Sequence, residues 1–154
     1  IRDGSGAFRH SHTYMGHPTA CAAALAVQRA IRDRNLLDNV RIQGDAFQQA
    51  LIERLGNQPY LGDIRGRGLF WGIELVKDRA TKEPFDPALQ LHNRIKSEAM
   101  ARGLICYPGQ GTADGLRGEH VLLAPPFIVT GDQVVEMASR IGDAIEAAIK
   151  EAGA

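Results

Sequence analysis

The sequence predicts a small α+β domain: a few-stranded, mostly antiparallel sheet with helices on one side, preceded by two long helices. Three observations carry that reading. Four stretches repeat apolar residues at three- and four-residue spacing, as helices with one buried stripe do. Short apolar runs bounded by Gly and Pro stand at 69–76, 104–107 and 120–124, as strands do. The order of segments is two helices, then β, β, α, β, β, α.

Taken in turn, residues 1–15 show no clean period, and IRDGSGAF reads as a polar, glycine-rich loop. The chain opens on Ile1 without Met or a leader, which reads as the middle of a longer protein. A helix follows from Pro18, whose missing N–H costs nothing in a first turn. Its stripe is Ala20, Ala23, Val27, Ala30 and Ile31, and Asn35 ends or bends it. A second helix spans about 36–55 on Leu37, Val40, Phe47, Leu51 and Leu55, with Gly56 as terminator. Tyr60–Ile64 reads as a short strand, Arg65-Gly66-Arg67-Gly68 as a turn, and Leu69–Val76 as a strand, apolar but for Glu74. Lys77–Pro87 is a charged loop. A third helix covers about 88–102, with Leu91, Ile95 and Ala99 inward and Gly103 as its left-handed cap. Leu104–Tyr107 is read as a strand, Pro108–Gly118 as a long flexible loop, and His120–Ala124 as a strand stopped by Pro125-Pro126. The last helix starts at Thr130 in a capping box with Gln133, and buries Val134, Ala138, Ile141, Ile145 and Ala148.

Composition narrows the function classes. The 154 residues suit one domain, or at most two small ones. With 44% hydrophobic and 23% charged residues, disorder, collagen repeats and coiled coil are excluded. Lys plus Arg and Asp plus Glu both number 18, so charge makes no case for nucleic acid or an anionic membrane. No apolar run approaches the roughly 20 residues of a spanning helix. Cys21 and Cys106 read as buried free thiols of a reducing, cytoplasmic compartment.

Candidate chemistry is concentrated at His10-Ser11-His12-Thr13-Tyr14-Met15-Gly16-His17-Pro18, directly before a helix. Three readings stand. His10, His12 and His17 invite a metal, although no Cys–His spacing supports zinc. A polar loop satisfying its own backbone is the second. The third is an anion site, in which the Thr13 and Tyr14 hydroxyls and nearby backbone N–H groups grip a phosphate. Elsewhere, Glu74 reads as a partner of Arg65 or Arg67 rather than a general base. Lys77, Lys82, Lys96 and Lys150 all lie in charged or solvent-facing contexts, without the apolar surroundings that depress a lysine pKa. Arg117, in the glycine-rich loop, is either solvated or a bidentate clamp for a carboxylate.

The stretches HSHTYMGHPTACAAALAVQ, RGRGLFWGIEL and GLICYPG…HVLLAPPFIVT resemble class III aminotransferases, pyridoxal 5'-phosphate enzymes of fold type I, over about Ser5 to Lys150. The resemblance implies that residues 1–49 are the end of the large cofactor domain with its linking helices, and 50–154 a C-terminal small domain. It implies that Thr13 bonds the cofactor phosphate of the other subunit in a homodimer. It also implies that the Schiff-base lysine lies upstream, so that no catalytic residue is in this chain and the chain alone is inert. Many members carry a substrate-carboxylate arginine where Tyr107 stands here; with Tyr107 in that place, Arg117 is the candidate substrate-binding cation. The implied substrates are an amine or ω-amino acid and a keto acid. A non-catalytic binding or dimerisation module, with an anion or metal site near His10–His17, is the alternative.

Overall fold

A computed structural model describes residues 2–8 and 10–153. The chain divides into two compact units, one through Leu36 and one from Leu37 onward. In the first, turns over residues 2–5 and 13–16 lead into α1 (Pro18–Asp33). Pro18 opens the helix, and Asn35 beyond its end takes a left-handed φ of 49°. No residue of α1 is buried. Cys21 is exposed, against the expectation of a buried thiol, because no described residue of the unit covers its helix.

The second unit takes up α2 (Leu36–Leu55) from its second residue on, β1 (Leu61–Arg67), β2 (Phe70–Leu75), α3 (Leu91–Ala101), β3 (Tyr107–Gln110), β4 (Glu119–Leu123) and α4 (Gly131–Ala152). The strands form one antiparallel sheet in the order β1-β2-β4-β3. The period-two pattern sorts its faces. Trp71, Ile73, Leu75, Val121 and Leu123 are buried, and they join Phe47, Leu51 and Leu55 of α2, Leu91, Ile95 and Ala99 of α3, and the α4 stripe in one core. Phe70, Gly72, Glu74, His120, Leu122 and Tyr107 alternate with that set and are exposed or half-buried.

Most elements stand where the sequence places them, and three boundaries move for identifiable reasons. Arg65–Arg67 is not a turn but the end of β1: a Cβ on Gly66 would meet the Phe70 carbonyl at 2.2 Å and the Trp71 ring at 2.7 Å. The turn falls at Gly68, with φ 56°, where α2 crosses so closely that a Cβ on Gly44 would meet the Gly68 carbonyl oxygen at 2.5 Å. The strand expected at Leu104–Tyr107 instead begins at Tyr107 and runs through Pro108. It is an edge strand, and proline is tolerated there because one row of N–H groups has no ladder partner. The third helix starts later than expected. Pro87–Leu89 form a separate 3₁₀ turn capped by Asp86, whose carboxylate accepts from Ala88 N–H at 2.9 Å, and Gln90 at φ 51° breaks it from α3. In α2, Leu37 is exposed rather than part of the buried stripe.

Charged residues finish the packing. Arg54 of α2 donates to Glu146 at 2.7 Å and Asp143 at 2.8 Å on α4. It lies so close to α4 that a Cβ on Gly142 would meet its Nε at 2.5 Å. The α4 capping box is present, with Thr130 Oγ1 accepting from Gln133 N–H and Gln133 Oε1 accepting from Thr130 N–H.

Candidate functional site

The polar stretch before α1 forms a tight turn. Met15 N–H donates to the His12 carbonyl at 2.9 Å, and His17 N–H to the Tyr14 carbonyl at 3.1 Å. Thr13 sits inside this turn, exposed, five residues ahead of Pro18, which opens the helix. A hydroxyl so placed, next to a helix N-terminus, suits a phosphate oxygen. The Nε2 atoms of His10 and His12 lie 3.1 Å apart. Among the described residues no group of three or more His, Cys, Asp or Glu side chains is gathered as a metal would require.

In the second unit, Tyr107 opens the edge strand β3 and is 70% exposed. It pairs across the sheet with Leu122, which pairs with Gly72. The segment 111–118 joins β3 to β4. It is not the loose loop that its glycines suggest but a hydrogen-bonded turn. Asp114 accepts from the backbone N–H groups of Leu116 at 3.0 Å and Arg117 at 2.7 Å, and from Arg117 Nε at 2.6 Å. These bonds hold the Asp114 carboxyl well down, at about 2. Ala113 N–H donates to the Arg117 carbonyl, and Gly115 N–H to the Gly111 carbonyl, each at 2.9 Å. The glycines are required by φ values of 96°, 90° and 99° at Gly111, Gly115 and Gly118.

Arg117 lines a groove of about 810 Å³ together with Lys77, Tyr60, Phe85, Pro87 and Ile149. Its floor is apolar, and its rim carries Glu83 and Asp86 as well as Lys77 and Arg117, with Lys77 already paired to Glu83. Tyr107 is not among the described residues lining that groove, so the two substrate-binding candidates face different surfaces here. Glu74 is held by Arg65 at 2.6 Å, the structural role expected of it. All four lysines are exposed; Lys77 pairs with Glu83 at 3.0 Å, and Lys82 donates to the Gly62 carbonyl at 2.7 Å. The half-buried Cys106 thiol is pushed up to about 11 by burial, which leaves it unreactive at neutral pH.

The class-III aminotransferase family model matches residues 2–145. The chain belongs to that family. Over 150 residues it is 41% identical to an aminotransferase of Gibberella zeae, covering 97% of this chain and 29% of that one. Its fold matches the crystal structure of a thermostable (S)-enantioselective omega-transaminase from Thermomicrobium roseum, with TM-score 0.80 and 31% identity over 93% of this chain and 30% of the other. It also matches the PMP-bound form of an aminotransferase from Vibrio fluvialis, with TM-score 0.80 and 35% identity over 95% of this chain and 30% of the other. The chain thus spans about three-tenths of the length of these relatives.

For a class-III aminotransferase chain, two further residues stand out that the sequence did not disclose. Asp114 fixes Arg117, and its Asp-x-x-Arg spacing could have been read as an Asx turn. Glu119 is 2% exposed, the one buried charged residue among those described. Its carboxylate accepts from His92 N–H at 3.1 Å and lies 3.3 Å from His92 Nδ1. Burial holds its pKa above the ordinary carboxylate value, and His92 opposes that rise. Nothing local in the sequence links positions 92 and 119. The neighbouring His120 is pushed the other way, toward the neutral imidazole, by burial and by Arg65.

Proposed function

We propose that this chain supplies part of a pyridoxal 5'-phosphate-dependent aminotransferase that moves an amino group between an amine or ω-amino acid and a keto acid. The match of the family pattern along residues 2–145 carries the reading. The names of two matched structures, an omega-transaminase and a PMP-bound aminotransferase, support the substrate class and the cofactor.

Each named residue then has a task. Thr13 donates its hydroxyl to the cofactor phosphate across a homodimer interface. Arg117 exchanges Asp114 for the carboxylate of the keto acid, holding it through two parallel charge-assisted bonds. Tyr107, on a different surface from Arg117 in this chain, offers substrate a hydroxyl without charge. The bound cofactor supplies an electron sink for the substrate carbon that loses its proton. Residues 1–49 belong with the cofactor domain and its linking helices, and 50–154 form the small domain. A reducing cytoplasm suits the exposed Cys21.

A hydroxyl bond to a phosphate dianion is worth roughly 1.5–3 kcal/mol. In the complete enzyme, Thr13→Ala therefore weakens cofactor affinity about ten- to a hundredfold, read by titrating the cofactor absorbance. An unchanged dissociation constant counts against the reading. Arg117→Ala raises KM for a keto-acid acceptor and spares a neutral amine donor; equal effects on both place the carboxylate site elsewhere. The 154-residue chain, mixed with the cofactor and reduced with borohydride, shows scattered surface labelling. Stoichiometric labelling of one lysine would overturn its assignment as catalytically incomplete.

A further inference from the structure

We propose that Glu119 is a positioning residue: its buried carboxylate pins the foot of the β3–β4 turn to the first turn of α3, and so sets where Arg117 stands. The inference rests on the reading of Arg117 as the carboxylate clamp only for its functional consequence; the pinning itself stands on geometry.

Three observations lead to it. First, the turn is stiff within itself. Asp114 ties the Leu116 and Arg117 amides and the Arg117 guanidinium, and three further backbone bonds close the segment. A segment that moves as one piece is oriented by its feet. One foot is Gln110, the other Glu119, and the two are paired in the β3–β4 ladder. That ladder is short, with β3 only four residues long and at the sheet edge. It fixes register, but a four-residue edge strand does little against twisting.

Second, α3 begins without the usual means of satisfying its first N–H groups. Its N-cap residue, Gln90, makes no side-chain cap bond, and the first turn carries no acidic residue. Glu119, distant in sequence, fills that role by accepting from His92 N–H at 3.1 Å. A carboxylate there also meets the positive end of the helix dipole. The cap is tertiary rather than local, so the helix start and the turn foot are held by one side chain.

Third, the carboxylate is nearly inaccessible, at 2% exposure. A charge in such a place is costly unless it is bonded. The groups that face it come from α3, namely the His92 N–H and the His92 imidazole at 3.3 Å. The next residue on its own strand, His120, looks to the other sheet face, toward Glu74 of β2 and Arg65 of β1. Glu119 therefore has its polar partners on α3 and a strong reason to keep them.

Limited trypsin digestion of the 154-residue chain tests this, because Arg117–Gly118 is itself a cleavage site in the turn. Arg79–Ala80, in the exposed loop after β2, serves as the internal reference. Glu119→Ala should raise cleavage at Arg117–Gly118 by about tenfold or more relative to Arg79–Ala80, as local opening does. Glu119→Gln keeps an oxygen for His92 N–H and should stay within about twofold of the parent. A parallel rise at both bonds, or no rise, overturns the proposal, as does a Gln variant as susceptible as Ala. Should Glu119→Ala fail to fold, His92→Pro removes the same N–H at a first-turn position that tolerates proline. Its selective rise at Arg117–Gly118 is then the supporting result, and its absence the overturning one. No substrate enters this assay, so its failure is distinct from failure of the Arg117→Ala kinetic test.

Discussion

α1 and α4 are both alanine-rich amphipathic helices, and their fates differ. α4 buries eight residues, among them Val134, Ile141 and Ile145, under a complete capping box and ends on Gly153 at φ 69°. α1 buries none, and its N-cap His17 makes no side-chain bond. Periodicity reports which face a helix would hide; it does not report what covers that face. For α4 the cover is the sheet and α3, within reach along the same chain. Leu25 and Val27 of α1 stay more than half exposed.

This contrast can be broken by substitution, with Trp71, the single tryptophan and a core residue, as the fluorescent reporter of the second unit during urea unfolding. The largest effect belongs to the core. Ile141→Ala should cost about 2–5 kcal/mol. Next is the Arg54 fork onto α4. Arg54→Met should cost about 1–3 kcal/mol at neutral pH by removing the guanidinium from Asp143 and leaving Glu146 only the weaker donors Gln58 and Tyr60, discounted for their exposure. The same bond gives a pH signature. Arg54 holds the Glu146 carboxyl below its ordinary value, so this contribution is complete above that value and is lost as pH falls through the lowered one. Unfolding free energy measured from pH 6 to pH 3 should fall less steeply in Arg54→Met than in the parent. A smaller loss, about 1 kcal/mol, is expected for Thr130→Ala, which removes the N-cap acceptor of α4. The smallest is Val27→Ala in α1, which should leave the Trp71 transition within about 0.5 kcal/mol. A loss comparable with that of Ile141→Ala would mean that α1 is structurally coupled to the second unit.

Much of the architecture was legible because it is written locally. The α4 stripe, the Thr130–Gln133 box, the inward Leu91, Ile95 and Ala99 and the Gly103 cap at φ 71° all follow from spacing within one element. Errors arose where a second element decides. Gly66 and Gly68 resemble a turn pair, yet Trp71 packing leaves Gly66 in the strand and only Gly68 in the turn. Pro108 was assigned to the loop after the strand, because its place within β3 depends on that strand lying at the edge, which is a matter of topology. Cys21 was expected inside because its neighbours are apolar, although burial needs a partner surface. Of the candidate site, Thr13 and Tyr107 were singled out by motif position and Arg117 by its place in a glycine-rich loop. Asp114 and Glu119 act by holding other groups, and the bond between Glu119 and α3 has no trace in adjacent residues.

The strand order has a consequence for how this domain assembles in time. β1 and β2 are joined by a tight turn at Gly68 and need only a short chain closure, an event of about 1–10 μs in isolated hairpins. The central β2–β4 pair, by contrast, forms only after the whole stretch from Leu75 to Glu119, with α3 inside it, has been looped out. Loop-closure entropy is spent there before the core returns anything. The β1–β2 hairpin should therefore gain amide protection early, and β4 with β3 only in the rate-limiting step. In pulse-labelled refolding, Ile73, which pairs with Ile64 on one side and Val121 on the other, sits at the boundary between the two events.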